Sequence, residues 1–132
     1  MAYLKPPAFT RHLANPVAMR LGAHGIATLT VVGRHSGDLR KVPVIPVEVS
    51  QRRYLVSPYG ESDWVRNLRT AGTGELTSKG RTETFYATEI PFDERGPIIA
   101  RYREVAGSYV DRYFAKLPDP RDHPVFQVAR RH

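Results

Sequence analysis

Residues 33–43, G-R-H-S-G-D-L-R-K-V-P, concentrate anion-binding groups between two apolar runs of the sequence. Gly33 and Gly37 permit backbone conformations that bring N–H groups close to a ligand, and Ser36 adds a hydroxyl donor. The stretch also carries four basic or imidazole side chains: Arg34, His35, Arg40 and Lys41. Arginine binds phosphate and carboxylate groups in a bidentate manner. Composition alone leaves two interpretations open, an anion site or a solvated hairpin tip.

A second candidate site is the stretch S-P-Y-G-E-S-D-W, residues 57–64, where a predicted strand runs through a turn into a predicted helix. Amide groups at a helix N-terminus bind anions or polar heterocycles. Trp64 is the only tryptophan of the chain and lies in the first helical turn. Its ring would either pack against a flat ligand or anchor the helix to the core. The side-chain amide of Asn67, one turn later, would either form hydrogen bonds to the polar edge of a ligand ring or face water.

Other chemistry-bearing residues give weaker signals. Tyr102, Tyr109 and Tyr113 would either line a pocket and donate protons or pack half-buried. The five histidines lack metal-ligand spacing, and the absence of cysteine removes thiolate ligands and thiol nucleophiles. We therefore expect no metal site. Motifs typical of hydrolases, nucleoside triphosphatases and enzymes with a dinucleotide-binding fold are also missing.

The elements that must position these residues are mostly strands that follow one another along the chain. Apolar and alternating patterns predict strands at 25–32, 40–49, 52–57, within a hairpin at 74–90, and at 123–130. Amphipathic patterns predict helices at 61–72 and 91–107, the second beginning near Gly96. Ser62 or Asp63 is the expected N-cap of the first helix, and Gly72 its C-cap. About six strands and two or three helices predict a mainly β (α+β) fold, a small antiparallel barrel with helical insertions.

Length and charge limit the classes of function. A chain of 132 residues predicts a single domain, in which the proline-rich residues 1–22 form an N-terminal arm. A net charge of +7 suits a nucleic acid, an anionic membrane surface or a phosphorylated, carboxylate-rich cofactor. No apolar run is long enough to span a membrane, and the N-terminus has no signal-peptide pattern. We therefore expect a cytoplasmic protein without integral membrane association.

Two motifs together resemble those of the deazaflavin-dependent nitroreductases, also called F420-dependent reductases. The first is G-R-x-S-G-x-x-R followed by a proline three residues later, here ending at Pro43. The second is W-x-x-N-L, here Trp64, Asn67 and Leu68. The resemblance extends from about Asn15 to Arg130. It implies a split β-barrel related to FMN-binding folds, and a homodimer.

The resemblance also implies roles for individual residues. The first loop would hold the phosphate and oligoglutamate tail of coenzyme F420, and the strand after Arg40 and the Trp64 helix would flank the deazaflavin ring. Tyr109, in the segment G-S-Y, would lie on the substrate side. For the proton donor, our hypothesis is either Tyr109 or water. Some members carry a tyrosine where this chain has Ile45, which leaves the substrate open. The expected coenzyme contacts are Arg34, His35, Ser36, Gly37, Arg40, Lys41, Pro43, Val44, Ile45, Ser57, Tyr59, Trp64, Val65 and Asn67.

The implied function is hydride transfer from the reduced coenzyme to an electron-poor small molecule: a conjugated ene, a quinone or a nitro compound. Three alternatives stay open at this point. The same barrel would bind FMN or haem instead, the basic chain would bind nucleic acid, or the protein would bind its cofactor without turnover. Because the aromatic residues fall mainly on predicted helices, nucleic acid is the least favoured partner.

Overall fold

Seven antiparallel strands form one curled sheet in the computed structural model, which describes residues 25–131. The predicted arm at 1–22 lies outside the described residues. The strands are β1 (Ala27–Val32), β2 (Leu39–Val44), β3 (Val47–Val49), β4 (Arg52–Val56), β5 (Thr73–Ser78), β6 (Arg81–Glu89) and β7 (Val125–Arg130). They are arranged in the order β2-β1-β5-β6-β7-β4-β3. The predicted mainly β, antiparallel architecture is confirmed.

The predicted strand at 40–49 is divided in the structure, so the described residues contain seven strands instead of about six. Ile45 and Pro46 separate β2 from β3. Proline lacks the N–H group that a continuing ladder needs at this position. β2 and β3 lie at opposite edges of the sheet although only these two residues join them. This short connection requires the sheet to curl until its edges approach each other.

Three helices accompany the sheet within residues 25–131: α1 (Asp63–Ala71), α2 (Gly96–Ala106) and α3 (Ser108–Lys116). α1 has Ser62 as its N-cap and ends at Gly72, whose φ of 73° is left-handed and suits glycine. The tyrosine-rich segment that follows α2, for which the sequence predicts no definite element, forms α3 directly after Gly107. None of the described helices is long and apolar enough to cross a membrane.

The interior consists of two hydrophobic clusters. In the first, the apolar face of α1 packs against the curled sheet, and its large residues include Leu29, Leu55, Trp64, Leu68 and Phe126. In the second, α2 and α3 pack beside β3 and β4, with Val47, Val56, Ile98, Tyr102 and Phe114. Burying each such side chain stabilises the fold by about 1.5–3 kcal/mol. Strands β4 and β7 contribute buried residues to both clusters, so a seam runs between the clusters along these strands.

Candidate functional site

A cavity of about 410 Å³, including its open mouth, lies where residues of the two clusters meet. The end of β2, the end of β4 with the turn after it, and the three helices all contribute to its wall. The lining residues are Ile26, Pro43, Val44, Ile45, Val56, Pro58, Tyr59, Trp64, Tyr102 and Tyr109. The side chains of the wall are therefore apolar or aromatic, and their polar groups are the phenols and the indole N–H of Trp64.

The structure brings several of the predicted site residues together at this cavity. They are Pro43, Val44, Ile45, Tyr59, Trp64 and the proposed proton donor Tyr109. Tyr102, considered from the sequence only as a general pocket residue, also lines the wall. Ile26, Val56 and Pro58 were missed, because apolar residues at strand ends carry no local signal that separates a cavity wall from a core. Their position depends on strand pairing.

Trp64 anchors α1 to the core, which is one of the two roles considered for it from the sequence. Its side chain is only 6% exposed and lies 6.2 Å from the ring of Phe126, centroid to centroid, within the first cluster. Its remaining surface lines the cavity. The helix anchor therefore also provides a flat apolar wall.

The loop between β1 and β2 is held by its own hydrogen bonds. The Gly33 amide donates to the Asp38 carbonyl over 2.8 Å, and the Gly37 amide donates to the Gly33 carbonyl over 2.9 Å. The Ser36 hydroxyl accepts from the Asp38 amide over 3.1 Å. Gly37 has a φ of 77°, which other residues adopt only with strain. The loop is thus a defined structure.

Arg34 joins this loop to α1. Its backbone N–H and its Nη1 both donate to Asn67 Oδ1, over 3.1 and 2.8 Å. Its Nη2 lies 3.5 Å from Asp63 Oδ1. Asn67 is 4% exposed, so its amide oxygen faces Arg34 and not bulk water. The two sequence motifs are therefore in direct contact. Arg34 uses its backbone N–H and its Nη1 in hydrogen bonds to the helix.

The residues that remain for an anionic ligand are His35, Arg40 and Lys41, all exposed. Among the described residues, no carboxylate forms an ion pair with Arg40 or Lys41. Arg40 reaches the Ser36 hydroxyl over 3.4 Å. An unpaired cationic strand that leads into an apolar, aromatic cavity fits a flat ring system with an acidic tail.

Ser57 and Val65, also expected at the coenzyme, are fully buried. The Ser57 hydroxyl donates to the Gly60 carbonyl over 2.7 Å and so closes the turn that carries Pro58 and Tyr59. Val65 belongs to the first cluster. The structure places both behind the cavity wall, where their side chains support the residues that line it.

His123 supports the same turn from the opposite side and was not singled out from the sequence. Its Nδ1 lies 2.9 Å from the Ser57 carbonyl oxygen, and its Nε2 contacts the carbonyl oxygen of Leu117 at the end of α3. The ring stacks on Phe114 at 4.1 Å. The imidazole thus joins the end of β4 to the end of α3, two of the elements that form the cavity. No local pattern in the sequence indicates this role.

The phenols at the cavity are held neutral. Burial, together with the neighbouring Tyr113, raises the pKa of Tyr109 to about 12. Burial also raises the pKa values of Tyr59 and Tyr102 well above the ordinary value of a phenol. The ring of Tyr59 meets that of Tyr113 edge-on at 4.7 Å. These groups therefore keep their protons at neutral pH, as a proton donor must.

The fold and site define a split-barrel reductase. Residues 6–125 match the family described as F420H(2)-dependent quinone reductase. The chain belongs to this family. It is an F420-dependent oxidoreductase, and coenzyme F420 is its cofactor, as the sequence motifs predicted. A comparison with curated protein sequences found no match.

Solved structures share the fold. An F420-H2 dependent reductase, FDR-A, is 25% identical with a TM-score of 0.62, over 80% of this chain and 94% of that one. A chain described as a domain-swapped dimer is 22% identical with a TM-score of 0.55, over 80% of each chain. The haem protein HutZ from Vibrio cholerae is 14% identical with a TM-score of 0.62, over 91% of each chain. The last two show the fold alone.

Replacing Asn67 by alanine tests the contact between the motifs. Asn67→Ala removes the acceptor of two hydrogen bonds from Arg34 and leaves partly buried donors unpaired. We expect the free energy of unfolding to fall by about 1–3 kcal/mol, measured by denaturant titration with circular dichroism.

Thr70→Ala provides the matched control, because Thr70 is exposed on the same helix and gains the same type of helix propensity. It should be neutral or slightly stabilising. Equal unfolding free energies for the two variants would show that the Arg34–Asn67 contact does not hold the loop.

Proposed function

We propose that this F420-dependent reductase reduces an electron-poor ring or conjugated system, such as a quinone, a nitro compound or an ene, inside the aromatic cavity. The observation that carries the proposal is the continuity between the cavity and the cationic strand. Pro43 and Val44 line the cavity, and Arg40 and Lys41 precede them on β2. One ligand can therefore place a flat ring in the cavity and an acidic tail along the strand.

The two cationic side chains of β2 differ in their direction. Side chains alternate along a strand, so Arg40 shares a face with Val42 and Val44, whereas Lys41 belongs to the opposite face. Val42 and Val44 pack into the first cluster, so Arg40 continues the face of β2 that packs on the core. The Arg40 side chain also lies close to Gly33 and Ser36 of the loop. Arg40 is therefore our main candidate for the coenzyme tail, supported by Lys41 and His35.

The chain contributes orientation, exclusion of water and a proton. F420 supplies the hydride when it is bound in its reduced form. Trp64 and the segment 43–45 offer flat apolar surfaces that orient a ring and exclude water from it. The half-buried Tyr109 keeps its phenolic proton and would donate it to the reduced acceptor.

The direct test mixes the purified protein with reduced F420 and menadione and follows the return of oxidised F420 by absorbance. We expect saturable oxidation that depends on both the protein and the quinone. Reduced FMN in place of reduced F420 serves as the control and should support little turnover. Binding of F420 without turnover toward a quinone, an ene or a nitro compound would contradict the proposal and favour a carrier.

Tyr109→Phe tests the proton donor. We expect kcat to fall about 100-fold with little change in KM, because the ring remains and only the hydroxyl is lost. A phenol is protonated below its pKa, so a pKa of about 12 keeps Tyr109 loaded across the neutral range. The wild-type pH–rate profile should therefore show no decrease in rate caused by ionisation of Tyr109 between about pH 6 and pH 9.

Tyr86→Phe is the matched control, because Tyr86 is exposed on β6 and does not line the cavity. It should leave kcat unchanged. An unchanged kcat in Tyr109→Phe as well would assign the proton to water.

Arg40→Gln tests the coenzyme tail. We expect the Kd for F420 to rise about 5- to 10-fold, because a charge-assisted bond to an exposed anion is lost. Lys41→Gln, on the other face of β2, should raise it by about 2-fold or less. A deazaflavin without the phosphate and glutamate tail should bind both variants as it binds the wild type. Equal weakening for the tailless compound would remove Arg40 from the tail site.

We also propose that the protein works as a homodimer. The support is a structurally similar chain described as a domain-swapped dimer and the exposed pair Val32 and Leu39, which face each other across β1 and β2. Sedimentation should then give twice the chain mass of 14.9 kDa. The cytoplasmic location and the absence of integral membrane association stay predictions from the sequence.

A further inference from the structure

Arg112 is a cation close to three tyrosines at the cavity: Tyr59, Tyr109 and Tyr113. Its Nη2 donates to the Tyr113 hydroxyl over 2.8 Å, and its Cζ lies 4.9 Å from the centroid of the same ring. The side chain is exposed, and no carboxylate among residues 25–131 forms an ion pair with it. The adjacent Asp111 is directed to Arg103, at 3.8 Å. Positive charge therefore remains unbalanced at this point of α3.

Tyr113 connects Arg112 to the cavity. The Tyr113 ring contacts the ring of Tyr59, and Tyr59 lines the cavity wall. The positive charge of Arg112 opposes the rise in the pKa values of Tyr59 and Tyr109, which places its field at both phenols. Arg112 also follows Tyr109 by three residues on α3, so the two side chains are neighbours on the helix surface and the exposed guanidinium lies next to a residue of the cavity wall.

The wall itself carries no ionised side chain among its described residues. An acceptor that enters the cavity therefore meets apolar groups and neutral phenols. The charge of Arg112 beside the wall then decides whether the cavity favours neutral or anionic acceptors. Arg40 and Lys41 are on β2, the strand assigned above to the coenzyme tail, and α3 is a separate element. The two cationic regions have separate ligands under this assignment.

We propose that Arg112 makes the cavity selective for acceptors that carry a carboxylate or sulfonate group next to the electron-poor ring. This inference rests on the function proposed above. The guanidinium would bind the anionic substituent while the ring stacks among Trp64 and the tyrosines. Its exposure makes the contact sensitive to salt.

Arg112→Gln tests the selectivity with two acceptors, neutral menadione and the anionic 1,4-naphthoquinone-2-sulfonate. We expect kcat/KM for the sulfonate to fall about 10-fold, while kcat/KM for menadione and KM for F420 change by about 2-fold or less. Arg112→Lys, which keeps the charge, should retain most of the preference. Lys116→Gln removes the same charge one turn later on α3, where no contact with a cavity phenol exists among the described residues, and should behave as the wild type.

A binding measurement without coenzyme provides a second readout. Trp64 is the only tryptophan and lines the cavity, so a bound quinone will quench its fluorescence. We expect the sulfonate to bind the wild type more tightly than Arg112→Gln, and this difference to shrink between about 50 and 500 mM salt.

The two measurements separate the two proposals. If Arg112→Gln turns over normally and its ratio of kcat/KM for the sulfonate to kcat/KM for menadione equals that of the wild type, the role of Arg112 is overturned. The reductase function then remains intact. Absence of quinone turnover, with quenching that still depends on Arg112, would overturn the quinone reaction and support the anion site. Equal quenching by both quinones in the wild type would also overturn the selectivity.

Discussion

The contact between Arg34 and Asn67 organises the site, because one buried amide oxygen accepts two hydrogen bonds from one residue. Leaving a buried donor without its partner costs about 1–3 kcal/mol, so the loop after β1 and the helix α1 are held in one arrangement. α1 places Trp64 at the cavity, and the loop places the cationic start of β2 beside it. The aromatic wall and the charged strand therefore have a defined relation to each other.

A second set of contacts supports the opposite wall. His123 joins the carbonyl groups of Ser57 and Leu117, and the almost fully buried Arg95 reaches the carbonyl of His123 over 3.4 Å. Arg95 is paired with Glu89, which also binds Arg69 of α1. The turn with Pro58 and Tyr59 is thus supported by polar contacts that extend from the surface to the cavity. A wall held in this way can remain in place around a flat ligand.

In the proposed reaction, the chain contributes mainly position and electrostatics. Burial keeps the phenols of Tyr59, Tyr102 and Tyr109 protonated, and the apolar wall lowers the local dielectric around any charge that develops on an acceptor. The split-barrel fold by itself does not select this chemistry, since a haem protein shares it. Family membership identifies the chemistry of this chain.

The sequence by itself determined the succession of antiparallel strands, α1 with its end at Gly72, and the two motifs that identify the coenzyme. These features depend on local signals: alternation, caps, glycines at positive φ and short spacings. Only the tertiary structure decided that the strand at 40–49 divides at Pro46, that Asn67 binds Arg34, and that His123 supports the cavity. The partners in these last contacts are 33 and 66 residues apart in the chain. Packing selects such partners from many chemically equivalent residues, and no local pattern encodes the choice.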